Sequence, residues 1–313
     1  MNVFKKILIS FIIIIGIYSI FLIFSDISTF YDKLSNFKFE MLPVIISLIT
    51  FTWLILFLRW HLLLKNSNIE IPLKQNFMIF LSGAAFTFTG ELGDFVKSQL
   101  LKQKFDIPRS KTAPIIVSEW LYTGIGLVSL SLLGIIYFEI SAYLGLFFTS
   151  LLIFLFIIIN SKKLFTKVLT FASKRKFLSN ILSDTDESFD IIKNSTRGKI
   201  VVLCSILSIL FWTVESISVY FILYAFDVTT IEIFDLISMY SSSILLGVAS
   251  FIPLGIGVVE GSLSGFFYLF GIDFSLGLAI VVIIRIFTRW YGIATGLFIL
   301  KYYNGFKKTF DLT

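Results

Sequence analysis

Arg285 and Arg289 stand four residues apart in one of the most apolar stretches of a 313-residue chain. A helix puts such a pair on one face. Two planar, permanently charged guanidinium forks side by side suit a phosphate or a carboxylate. Five acids lie in similarly apolar surroundings: Glu91, Asp94, Glu119, Glu215 and Glu260. An ionised side chain at the centre of a bilayer costs about 2.5–3.5 kcal/mol on insertion scales, so each needs a partner or a wet cavity. Either these groups neutralise one another as structural pairs, or they form a site for an anionic substrate. Five acids and two arginines gathered around two helix breaks exceed what packing needs, which favours the site.

The more informative break is FIPLGIGVVEGSL, residues 251–263. Pro253, Gly255 and Gly257 end one helix and start another near Val258, whose first N–H groups and positive dipole end would face an anion. Glu260 falls in that first turn and competes with such an anion unless an arginine neutralises it; Arg285 is the expected partner. Glu91 and Asp94, in GELGD, share a face if the chain is helical as it leaves the other break. One histidine (His61) and one cysteine (Cys204) build neither a metal cluster nor a disulfide. No nucleophile–base pair is present, so neither a metal, a cofactor nor an enzymatic reaction is expected.

The elements that must position these residues are membrane helices. Apolar residues make up 57% and charged residues 15% of the chain, and mean hydropathy is +0.94. A soluble domain would be about 45–50% apolar and about 25% charged. The composition predicts an all-α integral membrane protein forming one polytopic domain over residues 1–313. Its basic loop near 161–199 is too short to bury a core of its own.

Runs of the roughly 20 apolar residues needed to cross a bilayer lie at 7–24, 42–64, 113–138, 142–160, 200–226 and 274–300. Lys5 and Lys6 before the first run mimic a signal peptide, but IFSDIS offers no cleavage site, and an uncleaved helix is expected. The stretch 77–89 is too short to cross, and 236–270 is broken in its middle. Lysines and arginines crowd the start, the ends of the second span, 90–112, 161–199 and the C-terminal end; 25–41 and 227–235 are acidic or balanced. The positive-inside rule then puts both termini in the cytoplasm of a multi-pass cell-membrane protein. It also makes 77–89 and 236–270 re-entrant hairpins dipping in from opposite faces, or eight crossing helices if the hairpin pieces span. Irregular backbone at membrane depth is tolerated only inside protein or along a wet cavity, so the hairpins would wall one internal site, as an inverted repeat would produce. The basic loop suits anionic headgroups rather than nucleic acid.

GELGDFVKSQLL, then IPRSKTAPIIVSEW, PLGIGVVEGSL and IIRIFTRWYGIATG, in this order and spacing, resemble the lysylphosphatidylglycerol synthase transmembrane family from about residue 7 to 300. The resemblance implies a flippase-like domain that moves lipids between leaflets, aminoacylated phosphatidylglycerol in bacterial members and lipid-carried glycans in archaeal ones. Gly90, Glu91, Glu119, Gly255, Gly257, Glu260 and Arg285 match the family positions. Where the family carries an acid–arginine pair and, a turn on, an aspartate, this sequence has Glu119, Trp120 and Thr123. The soluble aminoacyl-transferring domain is missing, so no synthase is expected.

The leading expectation is a flippase for an anionic phospholipid or polyprenyl-phosphate lipid. Arg285 and Arg289 would hold the phosphate, and the acids would balance charge or relay protons. A secondary transporter of a small anionic solute and a membrane partner of a separate lipid-modifying enzyme are the alternatives.

Overall fold

The computed structural model describes Gly16 and residues 34–89, 91–134, 139–172 and 185–304. The rest of the expected first span and Gly90 lie outside the described residues. All regular structure within them is helical. Five helices are long and apolar enough to cross a membrane: Phe39–Asn66, Arg109–Ser131, Tyr143–Asn160, Lys199–Ala225 and Phe274–Tyr302. They coincide with the five expected spans that fall in the described region.

The chain opens with α1 (Leu42–Asn66), entered through a tight turn at Phe39–Met41. Next come α2 (Leu73–Ala84), short turns at Thr87–Thr89 and Glu91–Asp94, and α3 (Phe95–Phe105). Asp106, in the left-handed conformation at φ 54°, ends α3. The third expected span starts at Arg109 rather than 113, because Pro108 sets the N-cap of α4 (Arg109–Ser131). Pro114 is carried inside α4, and the Ser118 hydroxyl donates to its carbonyl at 3.0 Å. Helix α5 (Glu139–Asn160) follows.

The region expected as a basic loop is partly helical. It contains α6 (Lys162–Ala172) and α7 (Thr185–Ser195). Phe165 and Phe189 meet at 5.3 Å, Lys162 pairs with Asp186 at 3.0 Å, and the Tyr122 hydroxyl of α4 donates to the Ser195 carbonyl. A few apolar residues at helical spacing, diluted among charges, were enough to dock α7 on α4.

After α8 (Lys199–Ala225) come α9 (Ile233–Ala249), a turn at Pro253–Gly255 and α10 (Val258–Leu269). Gly271, at φ 82°, turns the chain, and Asp273 caps α11 (Phe274–Arg285) by accepting from the Ser275 and Leu276 N–H groups. A π-helical turn at Ile286–Trp290 joins α11 to α12 (Tyr291–Ile299) within one continuous span.

Long helices α1 and α8 pack along each other. Helix α2 lies on α12, and α9 lies on α4 and α10. The Thr87–Thr89 turn touches the Pro253–Gly255 turn, so the two broken segments meet at their breaks. Two apolar cores result. One gathers Ile45, Ile49, Trp212, Tyr240, Leu263 and Ile284; the other gathers Trp60, Leu64, Leu101, Ile116, Ile256 and Ile293.

Small residues allow the closest contacts. A Cβ on Gly255 (φ 63°) would lie 2.7 Å from the Gly247 Cα of α9, so both bulk and backbone angle require glycine there. A Cβ on Gly296 of α12 would lie 2.8 Å from the Leu81 carbonyl oxygen and against the Ala85 nitrogen of α2. Gly296→Leu should therefore separate these helices and cost about 1–3 kcal/mol, the usual penalty for overpacking. Thermal unfolding in detergent checks this, with Gly265→Ala, which meets nothing within 4 Å, expected near wild type.

Candidate functional site

The polar residues lie at the seam between the two cores. Helix α4 contributes Tyr122 to one cluster and Leu127 to the other, with Thr123 between them, and the last span contributes to both clusters on either side of Arg285 and Arg289. The seam carries two ionic clusters, one behind each break.

Behind the second break, Arg285 Nε donates to Glu260 Oε1 at 3.0 Å. The side chains are 1% and 0% exposed. A second guanidinium nitrogen donates to the Leu254 carbonyl. Glu260 Oε2 accepts the Gly257 N–H at 2.7 Å, so the anion at the start of α10 is this chain's own carboxylate. That N–H is therefore not open to a ligand, contrary to the simplest reading of Gly255 and Gly257; the two glycines shape the turn, at φ 63° and 87°. Leu254, at φ 59°, is strained into the left-handed region and held there by Arg285.

Arg289, although one turn away, takes a different partner. It donates to Glu215 Oε1 of α8 at 3.0 Å and lies 5.6 Å from the Trp212 ring centroid. The Tyr240 hydroxyl of α9 donates to the same carboxylate oxygen at 2.6 Å. The Arg289 side chain keeps 20% exposure, against 4% for Glu215. The two guanidinium forks are thus divided between two acids, one sealed and one accessible.

Behind the first break, Lys97 Nζ of α3 donates to Glu119 Oε2 of α4 at 2.6 Å and stands 3.6 Å from Asp94 Oδ1. Its ammonium also lies over the Trp60 ring at 4.7 Å. Arg59 of α1 approaches Glu119 Oε1 at 4.0 Å and donates to Ser208 Oγ (2.8 Å) and Thr123 Oγ1 (3.2 Å). The Trp120 indole N–H donates to Asp94 Oδ2 at 3.1 Å. Glu91 lies in the Glu91–Asp94 turn; its side chain is outside the described residues.

Sequence reasoning paired Glu260 with Arg285, and the geometry brings them together. It missed Lys97, Arg59, Trp212 and Tyr240. Lys97 and Arg59 were read as bases flanking membrane segments, yet both are buried. For Lys97 a signal was present: it is the third residue after the break, beside Phe95 and Val96, where a surface lysine has no water to reach. Thr123 and Trp120, which depart from the family pattern, are also explained. The cation missing beside Glu119 on α4 is supplied from α1 and α3.

Helices that cross a membrane, breaks that meet inside the bundle and buried ion pairs at the breaks define a multi-pass α-helical membrane protein with an internal polar site. More narrowly, the chain matches the family described as the lysylphosphatidylglycerol synthase TM region over residues 7–296 and belongs to it. It is 27% identical over 215 residues to a UPF0104 membrane protein of Methanocaldococcus jannaschii, covering 63% of this chain and 83% of that one. A second UPF0104 membrane protein, from Methanothermobacter thermautotrophicus, is 33% identical over 100 residues, 32% of this chain and 30% of the relative.

Removing one partner of a fully buried pair leaves an uncompensated charge and costs about 3–5 kcal/mol. Glu260→Ala and Arg285→Ala should each lose that much stability. Exchanging the two residues should restore only part of it, because the Gly257 N–H and the Leu254 carbonyl would keep the wrong partners. Chemical or thermal unfolding of the single and exchanged variants measures the difference.

Proposed function

We propose that this chain moves an anionic lipid between the leaflets of a cell membrane, with its phosphate drawn to Arg289 at the seam. The observation that carries the reading is the division of the two arginines. Arg285 is sealed against Glu260 and the Leu254 carbonyl, whereas Arg289 stays partly accessible beside an acid it shares with Tyr240. A guanidinium that gives one edge to a carboxylate can still offer other N–H donors to a phosphate oxygen. Arg285 then serves the site by fixing the break in front of it, and Glu215 balances the charge of Arg289 when no lipid is present.

The broken segments are re-entrant in this reading, the first dipping from the cytoplasmic side and the second from outside, with both termini cytoplasmic. Three of the four hairpin helices support it: α2, α3 and α10 have 12, 11 and 12 residues, or about 18 Å at 1.5 Å per residue, well below a bilayer's hydrocarbon thickness, while α9 has 17. The halves form an inverted repeat. α1 to α4 and α8 to α12 follow the same order of long helix, hairpin and long span, and each hairpin's first helix packs on the other half's last span. Family membership, which covers the membrane region, supports lipid movement over synthesis.

Arg289→Ala should lower leaflet exchange of a fluorescent anionic phospholipid in reconstituted liposomes by about tenfold or more, the loss expected for a charge-assisted contact of about 1.5–3 kcal/mol. Arg289→Lys should recover only part, since a point charge cannot reproduce the planar fork. Wild-type exchange in a monodisperse Arg289→Ala protein would sink the assignment. Saturable uptake of a small anion without lipid exchange would replace it.

A further inference from the structure

The loop expected as a basic stretch sorts its charges between its two helices. Helix α7 carries Asp186, Glu187 and Asp190 against Lys193, whereas α6, KKLFTKVLTFA, carries three lysines and no acid. Of the described side chains on α6 only Phe165 is buried, packed with Phe189 and Ile192 of α7 and beside Val117 of α4. The others are exposed and fall into rows. Leu164 and Val168, four residues apart, form an apolar row with 39% and 49% exposure. Lys163 and Lys167, also four apart, form a basic row, and neither takes a partner among the described residues. At about 100° per residue, the side that carries Phe165 meets the bundle and the lysine row points away from it. The apolar row lies between the two, opposite Thr166.

We infer that α6 is an interfacial helix docked on the anionic lipid surface of the leaflet in which α5 ends. Leu164 and Val168 sit in the acyl boundary, and Lys163 and Lys167 on headgroup phosphates. Level, continuity and charge identify this occupant. Helix α5 is long and apolar enough to cross the membrane, it ends at Asn160, and one residue separates it from α6. That residue, Ser161, starts the new helix: its carbonyl accepts the Phe165 N–H at 2.9 Å and its hydroxyl the Leu164 N–H at 3.4 Å. Helix α6 therefore begins where a span leaves the hydrocarbon, and Phe165 holds it against the bundle at that level. The last turns of α5 expose Ile153, Phe154 and Ile157, so a lipid-facing surface runs up to the helix whose apolar row is uncovered. A basic row beside an apolar one is the pattern of a helix lying in the membrane plane. Lys162 is already paired, with Asp186 of α7 at 3.0 Å, on the side away from the apolar row.

Helix α7 ties this contact to the bundle. Its Asn194 carbonyl accepts from Asn66 Nδ2 of α1 at 3.3 Å, its Ser195 carbonyl accepts from the Tyr122 hydroxyl of α4, and Glu187 lies 3.9 Å from Lys111. It thus bridges the end of α1 and the start of α4, the helices that carry Arg59 and Glu119, and α6 adds a lipid surface to that bridge. The docking concerns α6 and its leaflet alone and stands whether or not the chain moves lipid.

The test places one cysteine on the apolar row, Val168→Cys, or opposite it, Thr166→Cys, in a chain with Cys204→Ser, and labels it with a thiol-reactive bimane. Nanodiscs of phosphatidylcholine alone are compared with nanodiscs of mixed phosphatidylcholine and phosphatidylglycerol. In the anionic discs the label at 168 should be quenched by a spin-labelled lipid and shielded from acrylamide, while the label at 166 stays open to acrylamide. Combining Lys163→Gln with Lys167→Gln should shift the docked-to-free ratio at 168 by about twenty-five-fold in the anionic discs, about fivefold for each lysine removed from an anionic surface. The same pair of substitutions should leave thermal unfolding in detergent unchanged, which separates lost docking from lost folding. Acrylamide quenching at 168 that is equal in the two lipids, or that the lysine substitutions do not raise, overturns the docking. Shielding at 168 without quenching by the spin-labelled lipid would place protein on this face, a second copy of the chain or another partner, and overturns it as well.

Discussion

Glu260 accepts the Gly257 N–H with one oxygen and Arg285 with the other, and Arg285 passes a further bond to the Leu254 carbonyl. This chain of contacts ties a break in the backbone to a continuous span. Without it, the Gly257 N–H and the Leu254 carbonyl at the turn would lose these partners, and Leu254 would lose the contact that holds its left-handed conformation. The low local dielectric that makes each lone charge costly also strengthens the completed network. The break exists because its polar groups have named partners, and the partners are tolerable in the apolar interior because the break supplies theirs.

The same constraint arranges the rest of the bundle. Two apolar cores with a polar seam between them let the helices and the two breaks share one interior, with the ion pairs of Arg285, Arg289 and Lys97 lying between the cores. The seam falls where α1, α4, α8 and the last span each carry a charge or a hydroxyl: Arg59, Thr123, Ser208 and Arg285. Close packing on either side comes from small residues, Gly126 against Ser208 and Trp212 and Gly296 against Ala85.

Much of this was legible in the sequence. Length of apolar run placed five spans, a run too short to cross placed the first break and the Pro253–Gly257 cluster the second, and a deep arginine demanded the acid it found in Glu260. The limits were set by depth and by distance along the chain. Arg59 stands near the end of an apolar run, where snorkelling to the interface is the ordinary outcome; only the packing of α8 across it turned it inward. Lys97 was assigned to the basic stretch it belongs to by sequence, although the break before it carries it into the interior. Arg285 and Arg289 share a helix face, yet neighbours from different elements, α10 and α8, claim them separately, and a linear pattern holds no record of which helix lies opposite.

Stability alone does not account for these pairs. Replacing a buried ion pair by well-packed apolar residues is often neutral or stabilising by about 1–4 kcal/mol, and the neighbouring clusters demonstrate that this chain packs apolar helices well. What an apolar replacement loses is directionality and sensitivity to a charged ligand. A Leu–Met contact holds a hairpin with the same strength whatever approaches it, whereas Glu260–Arg285 and Lys97–Glu119 weaken when an anion competes for the cation. A bundle that had only to be stable would do as well without them, and it is the proposed binding of an anionic lipid that would give such pairs a use.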